Sequence, residues 1–68
     1  MNTWNKADHK TWVYRMDSGW VAVITWHTDD RFSIIVRKRS VSFASEYQGD
    51  ILDAQEHALK RVRELEKR

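Results

Sequence analysis

Cysteine and proline are absent from this chain, and glycine occurs only at positions 19 and 49. Without cysteine no disulfide can staple the fold, and the commonest structural-zinc ligand is missing. Without proline and with so little glycine, the chain has no linker or low-complexity character. No apolar run approaches the ~20 residues needed to cross a bilayer. The opening residues Met1-Asn2-Thr3-Trp4-Asn5-Lys6 lack the apolar core of a signal peptide. A cytoplasmic location away from membranes is the expectation that follows. There is no glycine-rich phosphate loop, no zinc-type cysteine pair and no elbow presenting a nucleophilic serine.

What is present is aromatic. Sixty-eight residues hold four tryptophans, two tyrosines and two phenylalanines. A chain of this length has room for one domain and one core, near the size limit for folding unaided. Large rings compensate by burying much apolar area each, and a homodimer is the other remedy. Net charge is +2, and residues 37–68 carry all of it. The one uninterrupted basic run is Arg37-Lys38-Arg39, and a second cluster (Lys60, Arg61, Arg63, Lys67, Arg68) lies late in the chain.

Residues 1–9 are polar around Trp4 and predict an N-terminal arm, leaving 10–68 as a single domain. From 11 to 16 the pattern alternates, with Trp12, Tyr14 and Met16 on one face and Val13 and Arg15 on the other. That predicts a strand. Asp17-Ser18-Gly19 follows, a three-residue hairpin loop with glycine at the position needing a positive φ. The second strand, 20–27, sets Trp20, Ala22, Ile24 and Trp26 against Val21, Val23, Thr25 and His27. A turn at His27-Thr28-Asp29-Asp30 leads to a third strand over 31–38. Beyond it the apolar residues move from even to odd positions (Val41, Phe43, Tyr47). That parity change predicts a bulge or tight turn over 38–40 into a short fourth strand.

Gly49 breaks the chain, Asp50 suits an N-cap, and Asp53 complements the positive helix start. A helix is predicted from 51 to near 67, with Ile51, Ala54, Ala58, Val62 and Leu65 as its apolar stripe. Glu56 with Lys60 and Glu64 with Arg68 have favourable four-residue spacing. The fold class expected is α+β, a three- or four-stranded antiparallel sheet with one C-terminal amphipathic helix packed on one face. Trp12, Tyr14, Met16, Trp20, Ala22, Ile24, Trp26, Phe32, Ile34 and Val36 are the sheet's predicted contribution to the core.

Catalytic and metal chemistry find little support. His27 with Asp29 and Asp30 reads as a solvated turn, and Asp53 with His57 as an exposed pair one helical turn apart, without a third ligand. One sheet and one helix also leave little wall for a dry pocket. The expectation is a non-enzymatic binding module without cofactor, metal or small-molecule substrate.

The sheet face away from the helix is more informative. It should carry Val13, Arg15, Val21, Val23, Thr25, His27, Arg31, Ser33, Ile35 and Arg37, with Lys38 or Arg39 nearby. β-Branched residues favour strands even when exposed, which is the plain structural reading of the valines. The functional reading makes Arg15, Val21, Val23, Arg31, Ile35, Arg37, Lys38 and Arg39 a binding patch. On nucleic acid, the arginines and Lys38 would meet phosphates or guanine edges. The strand order, the stretch Gly19-Trp20-Val21-Ala22-Val23-Ile24 and the Ala-containing helix resemble AP2-type and integrase arm-type DNA-binding domains. That resemblance, over residues 11–66, implies DNA binding by the sheet face opposite the helix. The chain departs from it in having few basic residues on the first two strands, and in its parity change. A chain this short also resembles the small accessory proteins that phages encode to block host or defence proteins. The same face then becomes a protein anchor, with Val21, Val23 and Ile35 at its centre. DNA and a host protein are thus the two partners the sequence leaves open.

Overall fold

A computed structural model describes residues 4–67. Five antiparallel strands run in sequence order across one sheet: β1 (Asn5–Asp8), β2 (Thr11–Arg15), β3 (Val21–Thr28), β4 (Arg31–Lys38) and β5 (Val41–Gln48). The helix α1 (Ile51–Glu66) follows and lies over β3 and β4. The class is α+β, but the sheet has five strands rather than the three or four expected.

The first extra strand comes from the expected arm. Asn5 pairs with Val13 and Lys6 with Trp12, and Trp4 packs on Tyr14 with ring centroids 5.1 Å apart. Asn5-Lys6-Ala7-Asp8 has no alternating pattern, so the pairing comes from the neighbouring strand rather than local propensity.

The parity change has a simple cause. Arg39 and Ser40 form a two-residue turn, with Lys38 paired to Val41, Val36 to Phe43 and Phe32 to Tyr47. A two-residue hairpin sets even positions opposite odd ones, so the face occupied by even residues of β4 continues through odd residues of β5. No bulge interrupts that ladder. The preceding hairpin also has two turn residues, Asp29 and Asp30, between Thr28 and Arg31. There the register shifts between Trp26 and Thr28, and this bulge at His27 restores the parity. Asp29 (φ 51°) and Arg39 (φ 56°) each take a positive φ at the first turn position, as the primed turns of two-residue hairpins require. At Asp17-Ser18-Gly19, Gly19 has φ 96°, and its N–H donates to the Met16 carbonyl at 3.0 Å.

The core lies between the sheet and α1. Trp20, Ala22, Ile24, Phe32, Ile34, Val36, Ala54, Ala58 and Val62 are buried. Trp12, Tyr14, Met16, Phe43, Tyr47, Ile51 and Leu65 pack around them half-buried. Ala22, Ala54 and Ala58 are fully buried, and their small side chains let helix and sheet approach between the large rings. Trp26, expected in the core, is 38% exposed at the rim, where its Nε1–H donates to the Asp29 carbonyl at 2.8 Å. Asp50 caps α1 by accepting from the Asp53 N–H at 2.9 Å. Gly49 has φ 155°, and a Cβ there would stand 2.8 Å from the Tyr47 ring, which would have to shift to admit it. Glu64 meets Arg61 at 4.0 Å; the Glu64–Arg68 pair expected from spacing lies outside the described residues.

Candidate functional site

The cross-strand register assembles the uncovered face row by row. Val13, Val23, Ile35 and Ala44 are successive partners across β2, β3, β4 and β5. They form an apolar stripe across the middle of the sheet. Val13 and Val23 are half-buried by their neighbours, Ile35 is 37% exposed, and Ala44 is exposed. One adjacent row holds Arg15, Val21, Arg37 and Ser42, and the other holds Thr11, Thr25, Ser33 and Glu46. Arg31, opposite Gln48, lies beyond the second row. The guanidinium-bearing Arg15, Arg31 and Arg37 are all exposed.

Six of the eight residues expected in the patch therefore share this face: Arg15, Val21, Val23, Arg31, Ile35 and Arg37. Lys38 does not. It follows the even residues of β4 to the helix side, where its Nζ stands 6.0 Å from the Trp20 ring centroid. Arg39 sits in the hairpin turn with a positive φ. The basic run Arg37-Lys38-Arg39 is thus split between the open face, the covered face and a turn. Alternation along a strand makes that inevitable.

Sequence reasoning omitted Ser42, Ala44, Glu46 and Gln48, the contribution of β5 to the open face. Their signal was the parity change, which a two-residue turn explains without slippage. Glu46 matters most, since it sets a carboxylate at one end of the row Thr11–Thr25–Ser33–Glu46, while Asp8 of β1, paired with Thr11, sets another at the opposite end.

Aromatic side chains are sorted to the other side. Trp12 stands edge-on to Phe32 with centroids 6.4 Å apart, and Trp4 leans on Tyr14. Lys6 lies 5.5 Å from the Trp12 centroid, and Arg61 lies 5.8 Å from Phe43. Tyr47 approaches the His57 ring with centroids 5.1 Å apart. Its partial desolvation, then the carboxylates of Asp53, Asp50 and Glu56, hold the phenol above its ordinary pKa. The open face accordingly offers aliphatic, hydroxyl, guanidinium and carboxylate groups, and the aromatic rings named above lie on its other side.

At the Arg31 end, His27 Nε2 and Ser33 Oγ are hydrogen-bonded, with Arg31, Glu46, Tyr47 and Gln48 lining the same shallow groove. The imidazole is exposed, unlike the buried, oriented base of a nucleophilic site. Among the described residues, no three His, Asp or Glu side chains cluster so as to hold a metal. Nor is any helix among them long and apolar enough to cross a membrane. At the start of β2, the Lys10 N–H donates to the Asp8 carboxylate at 2.9 Å, and this bond holds the Asp8 pKa below its ordinary value.

No protein-family model matches the chain, and no curated protein or solved structure matches it either.

Proposed function

We propose that this chain is a non-enzymatic binding module whose open sheet face docks a protein surface, in the manner of an inhibitor or adaptor. The observation carrying this reading is the contiguous stripe Val13–Val23–Ile35–Ala44, with Arg15, Arg31 and Arg37 at its margins. Scattered exposed aliphatics need no explanation, whereas a continuous apolar band rimmed by arginine has the anatomy of a protein interface. Its complement is an apolar patch with acidic groups at the rim.

DNA is the second reading, favoured by the same three arginines. It draws less support from the geometry. Five strands at about 4.8 Å spacing put the edge strands about 19 Å apart, against a major groove about 12 Å wide. Lys38, expected to reach phosphate, faces the helix side. With the aromatic rings on the covered face, single strands find no base-stacking surface.

The test pairs Val23→Glu and Ile35→Glu with Lys38→Glu, each checked for native circular dichroism. The expected outcome is a defined complex with one host protein, reconstituted from purified components. It is lost in the first two variants and retained in the third. The contrary outcome is binding to random duplex DNA that falls steeply with salt and disappears in Arg31→Glu/Arg37→Glu.

A further inference from the structure

The two edges of the sheet are built differently. On β1 the strand is four residues long, its register breaks between Lys6 and Asp8, and Lys6 sits on it. Short length, a bulge and a lysine all discourage another strand from pairing there. On β5 the strand is eight residues long, its register is unbroken, and Glu46 is its sole charge. No proline interrupts it.

The direction of the free backbone groups follows from one hydrogen bond. The Gly49 N–H donates to the Asp30 carbonyl at 2.8 Å, in register with the β4–β5 ladder. Hydrogen-bonded pairs alternate along an antiparallel ladder. The odd residues of β5 therefore turn their N–H and C=O groups toward β4. Ser42, Ala44, Glu46 and Gln48 turn theirs outward, as a row of donors and acceptors shaped for an extended strand.

We propose that the outer edge of β5 pairs antiparallel with β5 of a second copy, centred on Ser45 opposite Ser45, so that the sheet continues across a two-fold axis. In that register Ala44 exchanges backbone hydrogen bonds with the second copy's Glu46, and Ser42 does so with its Gln48. Phe43 falls opposite Tyr47 at a non-hydrogen-bonded position, where side chains approach most closely. Both rings are half-buried in the single chain, and pairing covers them further. The charges also agree, because Glu46 meets the small Ala44 rather than its own copy. A register centred on Glu46 would oppose two carboxylates. One centred on Ala44 would leave Phe43 against Ser45. The dimer joins the two open faces side by side and leaves both uncovered, so it stands whether or not they dock a protein.

Absence of cysteine makes the test clean. Ser45→Cys places two thiols at directly opposed positions, where Cα atoms are about 4.5 Å apart, within disulfide reach. Under mild oxidation Ser45→Cys should give a covalent dimer, while Ser42→Cys and Ala44→Cys should not. In sedimentation velocity across a dilution series, wild type should dimerise. Ala44→Pro, which removes an outward N–H and no ladder bond to β4, should weaken dimerisation about tenfold or more. Wild type monomeric at every concentration overturns the proposal. Preferential linking through Ala44→Cys or Ser42→Cys overturns it as well. Should Ala44→Pro fail to fold, the cysteine comparison decides alone.

Discussion

Arg39 shows how much one backbone angle decides. Its φ of 56° is costly for a side chain with a Cβ, by ~1–2 kcal/mol, yet it closes the turn that fixes the register of β5. Arg39→Gly relieves that cost against a smaller loss to unfolded-chain entropy. It should therefore raise stability by ~0.5–1 kcal/mol, while Arg39→Val should lower it; thermal melts of the two compare them directly. The tryptophans divide by burial. Trp20 is 7% exposed and Trp26 38%, so Trp20→Ala should cost ~3–5 kcal/mol and Trp26→Ala clearly less, as chemical denaturation will measure. Asp8 and Tyr47 each respond to pH in a direction set by their surroundings. Asp8 is held below its ordinary pKa by the Lys10 N–H, so its contribution is present above the unfolded carboxylate pKa and lost as acid protonates it. Hydrogen exchange at β1 should accelerate there first. Tyr47 is raised, so its contribution is present below the unfolded phenol pKa and lost as alkali ionises the ring.

Among the elements, α1 and the strands β2 to β4 are plain in the sequence, since apolar spacing of about 3.6 or 2 residues is the signature of a half-buried element. The other two strands are less legible for different reasons. β1 is polar throughout and is a strand only because β2 offers it an edge. β5 announces itself through its parity change, but the bulge at His27 had restored parity one hairpin earlier and made the second change resemble a slip. Which residues share the open face was legible to the same extent. Alternation along β2, β3 and β4 groups Val13, Arg15, Val21, Val23, Thr25, Arg31, Ser33, Ile35 and Arg37. The β5 contribution is hidden by the parity change, and alternation sends Lys38 to the other side from its neighbours in the basic run. The helix contact gives its own prediction. Ala58 is fully buried beneath the sheet, so Ala58→Leu should overpack the seam and cost ~1–3 kcal/mol. Asp50→Ala, which removes the cap, should cost about 1 kcal/mol. Far-ultraviolet dichroism during denaturation separates the two from changes in helix content.

For the whole molecule, the arrangement is a small sheet with one covered face, one open face, one guarded edge and one unguarded edge. Small domains of this size gain stability mainly by burying more surface per residue or by associating. Pairing through β5 would do the second without consuming the open face. Melting temperature should then rise with protein concentration, as mass action requires when only the folded state associates. A concentration-independent melt across the range where sedimentation reports dimer would contradict that coupling. The sorting of side chains has a spectroscopic consequence as well. Trp4, Trp12, Trp20 and Trp26 all gather on the helix side of the sheet. The chain thus carries an intrinsic optical reporter of whether its helix is seated. That reporter is shielded from the open face by the thickness of the sheet, so partner binding there should pass with little change in indole emission. A dye attached at Ala44 would see it.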